Sequence, residues 1–350
     1  EDNICLPLTI KPGNLVIEDI NNITIDGTMS SQFITGLMLG FSFLKVFNLG
    51  KVFNIYLEGT KTSSGFITMT QKVMSDFGIN TNSVNNTDSV NNTDSVNTDS
   101  VNNTDSVNTD SVNTMISIDK FTDTYNNYYI EGDATTASYL FSWAYINKFD
   151  LIIPNLNTNS CQPDINVLLK MLKLFGEIKD SNNKLYFRPN NNISEDSNKV
   201  KVDNLIFDLD SSDTFLTWGC LFCLENVKAE ITNIENQNWK ECARIDKFIS
   251  NIKILGGDVE KTKTGFKINK GINLDNMEKT VIPTFNDHRI AMSFSLLAMK
   301  RNNILIENPH CVNKTYPKYW EDIKNIGVSI IATNKNKIQD IILIGMPATG

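Results

Sequence analysis

Apolar positions recur along this chain with two spacings, about 2 and about 3.6 residues, and the switches between them mark the elements. The stretch "NNITIDGTMSSQ" (21–32) reads as an alternating strand, a glycine turn and a helix start. "QFITGLMLGFSFLKVF" (32–47) then carries that helix's apolar stripe. "KVFNIYLEG" (51–59) alternates again as a strand. "GFITMTQKVMSDFGI" (65–79) is helical, with Gly78 placed to end it in a left-handed turn. "NYYIEGDATTASYLFSWAYINK" (127–148) repeats the strand, turn and helix. "DINVLLKMLKLFGEI" (164–178) and "RIDKFISNIKILGGDV" (244–259) each run helix into glycine and then strand. Three helices of this kind, each ending at glycine before a short strand pair, predict a repeated α/β subdomain.

One segment leaves the pattern. From Ser83 to Val112 the chain cycles through "SVNNTD" and "SVNTD", with almost no apolar bulk. Such a stretch buries too little surface to offset its ordering entropy and reads as a disordered insertion within a hairpin loop. Lengthening a loop costs only about 0.6 kcal/mol per doubling, so the fold tolerates it.

Composition narrows the field. The 350 residues suffice for two ordinary domains, and 41% of them are hydrophobic. A net charge of −8 with a pI near 5.0 argues against nucleic acid or an acidic membrane as partner, but leaves room for a local basic pocket. Six cysteines are scattered along the chain, unlike a compact disulfide framework. Cys220 and Cys223 lie among apolar neighbours in "TWGCLFCLEN", which predicts burial on a helix. The chain's two histidines, His288 and His310, exclude a histidine-rich metal centre. These features fit a reduced, cytoplasmic protein with no metal. The chain starts at Glu1 and shows no signal peptide, so it reads as part of something longer.

Candidate chemistry lies at five places, each with an ordinary structural explanation beside it. "FNDHRIAMSFSLL" (285–297) sets Asp287, His288 and Arg289 at the mouth of a helix, where free N–H groups and an arginine attract an anion or where a solvated turn simply starts a core helix. In "IENQNWKECARIDKFI" (234–249), Asn236, Lys240 and Arg244 are spaced four apart and Glu241 precedes Arg244 by three. On a helix they share a face, which is either an anion clamp with a proton donor or a solvated ion pair. Ser30, Ser31 and Gln32 form either a phosphate cradle or an N-cap. Asp213 in "SSDTFLTWG" stands just before an apolar helix, as an N-cap does. Lys314 sits in a proline-bounded loop, "NPHCVNKTYPKYW". Phosphate cradles, cations for two anionic groups and two carboxylates together fit a reaction joining two small anions.

Six of these stretches carry a resemblance: "DGTMSSQFITGLML", "YIEGDATTASY", "SSDTFLT", "NQNWKECARI", "FNDHRIAMSFSLL" and "CVNKTYPKYW". In this order, across about residues 6–326, the chain resembles 5-enolpyruvylshikimate-3-phosphate (EPSP) synthase, in the form found within the fungal-type pentafunctional arom polypeptide. The resemblance implies an α/β, EPSP synthase-like two-lobed fold of repeated βαβαββ units, with helices inside and sheets outside (inside-out α/β barrel halves), and with the first lobe incomplete. Residues 1–130 would be the partial first lobe, carrying the 83–112 insertion, and 131–326 the second. Residues 327–340 would be a linker. "IILIGMPATG" (341–350), a strand running into G-x-x-x-x-G, would be the truncated start of a shikimate kinase phosphate loop.

The resemblance also implies the chemistry: transfer of the enolpyruvyl group of phosphoenolpyruvate to the 5-hydroxyl of shikimate-3-phosphate, releasing phosphate, on the way to chorismate and the aromatic amino acids. No cofactor is needed. The partners would be these two substrates and covalently adjacent shikimate-pathway domains. Ser30, Ser31 and Ser63 would hold the shikimate phosphate, with Gln32 between the substrates. Asp213, Asn236 and Lys240 would bind shikimate-3-phosphate, and Asp213 would accept the 5-hydroxyl proton. Glu241 would protonate the methylene carbon of phosphoenolpyruvate. Arg244, Arg289 and Lys314 would grip that substrate's phosphate and carboxylate, with Gln32 reaching it too. Asp287 and His288 would shape the helix start. Three departures count against activity of these residues alone: the family's first segment is absent, Phe66 replaces a tyrosine and Asn238 replaces an arginine. A non-catalytic shikimate-3-phosphate-binding remnant is therefore the alternative. A phosphate-loop kinase is a third, requiring a downstream domain.

Overall fold

The computed structural model describes residues 21–28, 30–47, 51–59, 64–85, 112–122, 127–191, 205–210, 212–275, 278–301, 303–332 and 340–344. The chain forms two compact units, 1–127 and 128–350.

The first unit is one βαβαββ repeat. Its elements are β1 (Asn22–Asp26), α1 (Ser31–Phe47), β2 (Phe53–Glu58), α2 (Ser64–Asp76), β3 (Ile79–Asn85) and β4 (Val112–Phe121). The sheet runs β1-β2-β4-β3, with β1 parallel to β2 and the other pairs antiparallel. Phe53, Ile55 and Leu57 alternate inward from β2 and pack with Ile34, Met38 and Phe41 of α1. The polar insertion sits between paired strands, but its edges are ordered: Ser83–Asn85 pair with Ile116, Met115 and Thr114, and Val112 pairs with Glu58. Residues 86–111 lie outside the described residues, as does Ser63.

The second unit continues with α3 (Ala134–Asn147), β5 (Leu151–Pro154), α4 (Asp164–Phe175), β6 (Gly176–Ser181), β7 (Lys184–Pro189), β8 (Leu205–Asp208), α5 (Phe215–Leu224), β9 (Ala229–Thr232), α6 (Arg244–Ile254), β10 (Asp258–Lys261), β11 (Phe266–Lys270), β12 (Thr280–Ile282), α7 (His288–Ser295), β13 (Ile304–Glu307), α8 (Tyr319–Asn325), β14 (Ser329–Ala332) and β15 (Asp340–Ile344). The strand orders β8-β9-β11-β10 and β12-β13-β15-β14 copy that of the first unit, parallel pair included. The sheet β5-β7-β6 is the same repeat with its leading strand unpaired. Gly132 N–H still bonds Asn155 C=O at 2.6 Å, where Gly27 bonds Glu58 and Leu209 bonds Thr232 in the other repeats.

The helices divide by role. All ten residues of α5 are buried, α3 is buried along most of its length, and seven of eight residues of α7 are buried. An all-round apolar helix needs cover on every side. These three supply it to one another, their hydroxyls meeting as Ser138–Thr217 (3.2 Å) and Thr217–Ser293 (3.5 Å). The partly exposed α4, α6 and α8 lie outside them. Helices inside and sheets outside is the arrangement the resemblance implies. Cys220 and Cys223 are wholly buried on α5, where desolvation pushes both thiols up.

Gly176 ends α4 and leads into a strand, as the pattern along the chain implies; it is extended, and a Cβ there would run into the Arg188 carbonyl. One sequence reading changes. Residues 327–340 are not a bare linker and 341–344 do not stand apart. Ser329–Ala332 form β14, and Asp340–Ile344 form β15 between β13 and β14, with Leu343 opposite Ile304 and Ile330. The βαβαββ order explains why: without a fourth strand, β13 would keep an unpaired edge. Residues 345–350, and with them the glycine pattern, lie outside the described residues. Among the described residues no helix is long and apolar enough to cross a membrane.

Candidate functional site

In the second unit the starts of α5, α6 and α7 bring together cations and carboxylates from two repeats. Asp287 is the N-cap of α7: its Oδ1 accepts the Arg289 N–H at 2.8 Å. Its Oδ2 accepts Arg244 Nε at 2.7 Å. Arg244, the first residue of α6, is 1% exposed and reaches three carboxylates. Nη1 donates to Asp213 Oδ1 at 3.1 Å and to Gln237 Oε1 at 3.0 Å, while Nη2 donates to Glu241. Arg289 Nη2 lies 2.9 Å from Asp213 Oδ2. Lys314 Nζ, from the turn Pro309–Lys314 packed on α7, donates to the other Glu241 oxygen. His288 is buried, with Nδ1 3.9 Å from Glu241 and neither ring nitrogen hydrogen-bonded.

The electrostatics follow from this lattice. Burial pushes the Asp213 carboxyl up, but Arg289, Arg244 and Lys240 outweigh it and hold the group at about 2. Burial likewise raises Glu241, and Arg244 and Lys314 bring it down to about 2. Burial, with Arg289 adding to it, lowers His288 to about 4, so it is neutral at pH 7. At neutral pH Asp213 and Glu241 are therefore ionised, set among the side chains of Lys240, Arg244, Arg289 and Lys314.

A third repeat contributes buried groups that the sequence reading did not single out. Tyr139 of α3 is 1% exposed and its hydroxyl faces the Arg289 guanidinium; burial pushes that hydroxyl up to about 12. Asp164, at the start of α4, accepts the Thr135 hydroxyl, and burial, with Asp213 next, raises its carboxyl. Gln237 is fully buried between Asp213 and Arg244. These groups stand within one helix, at the start of another and in one turn, where spacing along the chain carries no mark of convergence in space.

The sequence-predicted residues divide clearly. Asp213, Glu241, Arg244, Arg289 and Lys314 come together, with Lys240 close enough to act on Asp213. They do not share a helix face. Residues Glu235–Trp239 form a 3-10 turn, 240–243 are irregular, and α6 begins only at Arg244, with Asn238 Oδ1 taking the Ile245 N–H at 3.0 Å. That side-chain cap ends the turn and starts the helix afresh. Asn236 is half-buried in the same turn. Asp213 is not an N-cap: α5 is preceded by Thr214, and the Asp213 carboxylate points at the two arginines. In the first unit, Ser30 Oγ accepts the Gln32 N–H at 3.3 Å at the start of α1, Ser31 is buried and Gln32 is exposed. Among the described residues, no group of three or more His, Cys, Asp or Glu side chains is placed to hold a metal ion.

Repeated βαβαββ units with a cationic, carboxylate-lined centre at their inner helix starts define an α/β protein suited to small, multiply charged anions. The family model for EPSP synthase (3-phosphoshikimate 1-carboxyvinyltransferase) matches residues 106–323, more than half of the chain, and the chain belongs to that family. It is 30% identical over 331 residues to the pentafunctional AROM polypeptide of Pneumocystis carinii, covering 92% of this chain and 19% of that one. It is 27% identical over 308 residues to the 3-phosphoshikimate 1-carboxyvinyltransferase of Histophilus somni, covering 87% and 61%. In structure it is similar to EPSP synthase from Acinetobacter baumannii, with a TM-score of 0.55 at 17% identity over 87% of this chain and 62% of that one, a likeness of fold. The chain thus spans about three fifths of these synthases and about a fifth of the arom relative.

Proposed function

We propose that the chain carries part of the site that transfers the enolpyruvyl group of phosphoenolpyruvate to the 5-hydroxyl of shikimate-3-phosphate, releasing phosphate, within a larger shikimate-pathway polypeptide. The observation that carries this reading is Glu241, a carboxylate clamped between Arg244 and Lys314 beside a second carboxylate, Asp213, held by Arg289. In this resting state both carboxylates sit at about 2, too low to hold a proton at pH 7.

A phosphate or carboxylate arriving at Lys314 and Arg289 competes for those cations. Glu241 then loses part of its counter-charge, its affinity for a proton rises, and it becomes able to protonate the methylene carbon. Positive charge develops on the adjacent carbon and the carboxylates steady it. Asp213 accepts the proton of the 5-hydroxyl as the new carbon–oxygen bond forms. The bond from that carbon to the phosphate oxygen then breaks, phosphate leaves, and a methyl proton returns to a carboxylate of the site, restoring the double bond. Lys240 and Asn236 bind the shikimate phosphate side, and by resemblance Ser30, Ser31, Ser63 and Gln32 join them. Arg244 organises the two carboxylates rather than gripping substrate, because its donors already serve Asp287, Asp213, Gln237 and Glu241.

That saturation of Arg244, together with Phe66 in a tyrosine's place, favours the second reading: a protein that binds shikimate-3-phosphate without turning it over. Phosphate release from the two substrates, measured on the longest expressible polypeptide containing this chain, separates the two. Turnover that falls by about 10²-fold or more in Glu241→Ala supports transfer chemistry. Calorimetric binding of shikimate-3-phosphate without any phosphate release supports the binding protein. Turnover undiminished in both Glu241→Ala and Lys314→Ala refutes the assigned roles.

A further inference from the structure

The amide of Gln237 has a fixed sense. Its Nε2 donates to Asp213 Oδ1 at 2.9 Å, and its Oε1 accepts from Arg244 Nη1 at 3.0 Å, while the same Nη1 reaches Asp213 Oδ1 at 3.1 Å. The three side chains close a ring of hydrogen bonds in which the amide offers a donor to the carboxylate and an acceptor to the guanidinium at once. Gln237 is fully buried in its turn, and its backbone N–H bonds Ile234 C=O at 2.9 Å, so neither end of the side chain is free to swing to solvent. The ring occupies Asp213 Oδ1 with two donors and leaves Oδ2 on the Arg289 side. Through Arg244 Nη2 the ring continues to Glu241.

We propose that Gln237 is a positioning residue: its amide fixes the rotation of the Asp213 carboxylate and the seat of Arg244, and so sets the two carboxylates of the site relative to each other. It touches neither substrate in this assignment. The kinetic consequence rests on the function proposed above; the structural one does not. The charged and titratable groups facing the ring are Asp213, Arg244, Arg289, Lys240, Glu241, Asp287, His288, Asp164 and Tyr139.

The test is Gln237→Glu, equal in size but with the donor turned into an acceptor, beside Gln237→Met, which keeps the bulk and removes both hydrogen bonds. In Gln237→Glu two carboxylates about 3 Å apart cannot both ionise, so the pair retains a proton and its folded pKa rises above the unfolded value of about 4. A raised folded pKa gives stability that is present below the unfolded pKa and lost as pH rises through the folded one. The melting midpoint of Gln237→Glu therefore falls, relative to the native chain, between about pH 5 and pH 8, while Gln237→Met is offset by a constant amount over that range. In phosphate release, Gln237→Met lowers kcat by about 10-fold or more with both KM values within about 3-fold of native, and Gln237→Glu moves the acid limb of the kcat profile upward.

Gln237→Glu melting in parallel with the native chain from pH 5 to 8 overturns the proposal. If Gln237→Glu does not fold, Gln237→Met decides: native kcat overturns the proposal, and a fall in kcat at constant KM upholds it. If the longest expressible polypeptide containing this chain releases no phosphate, the transfer reading fails by itself and the melting comparison still judges Gln237.

Discussion

At the residue scale, two cations that look alike in sequence do different work. Arg244 is 1% exposed and joins three carboxylates, whereas the Lys314 side chain is 59% exposed and meets one. Removing one partner from a buried ionic cluster leaves uncompensated charge and costs about 3–5 kcal/mol. An exposed pair is worth about 1 kcal/mol or less. Arg244→Met is therefore expected to lower stability by about 3–5 kcal/mol and Lys314→Ala by about 1 kcal/mol or less, as urea titration would show. If the transfer reading holds, Lys314→Ala still loses most of its turnover. The pH dependence has a definite sign. Asp213 and Glu241 have folded pKa values depressed to about 2, so their contribution is complete above the unfolded values near 4 and fades as pH falls toward 2. Removing Lys314 lets Glu241 rise, so the stability gap between native and Lys314→Ala closes as pH drops from about 5 to 2. Equal urea midpoints for Arg244→Met and the native chain would show the buried lattice to be energetically idle. The types of these residues were legible in the sequence. Their division into one buried hub and one exposed reach was not, because burial depends on which repeats pack together.

At the element scale, periodicity served well where one rule governed. Strand β2 alternates buried and half-buried, α2 ends before Gly78 at a positive φ, and α5 reads and packs as an all-apolar helix. The reading failed between Asn236 and Arg244, where polar spacing of four suggested a continuous helix. There the Asn238 side chain competes for a backbone N–H, and buried Gln237 and Arg244 reward a broken backbone that turns both inward. The centre of α5 shows packing overruling propensity in the same way. Alanine usually exceeds glycine in a helix interior by about 1 kcal/mol. At Gly219, however, a Cβ would lie 2.7 Å from the Phe248 ring and 3.1 Å from the Phe266 ring, both fully buried. Gly219→Ala is thus expected to destabilise by about 1–3 kcal/mol through overpacking, against its helix propensity. A thermal melt at or above the native midpoint would mean that the α5–α6 contact yields more easily than its density implies.

At the scale of the whole molecule, the repeat is the organising fact, and the sequence showed it only in part. Helix-then-glycine segments signalled recurrence, and the resemblance supplied βαβαββ. Neither indicated that the last repeat reaches to Ile344, since "IILIG" reads equally well as the first strand of a following domain. Pairing decides the matter: β15 lies between β13 and β14, with Ile342 opposite Leu305 on one side and Ile331 on the other. A strand with partners on both edges cannot spare its N–H groups, and proline at such a position removes a ladder hydrogen bond and leaves its acceptor unpaired, at a cost of about 1–3 kcal/mol. Ile342→Pro should therefore lower the stability of the second unit by roughly that amount, with the loss of protection in hydrogen exchange centred on β13 and β14. The first unit, whose sheet is complete through β3 and β4, should keep its protection. If residues 340–344 instead begin a separate domain, the substitution leaves exchange at β13 and β14 unchanged. That outcome would return the fourth strand of this repeat to some other part of the polypeptide.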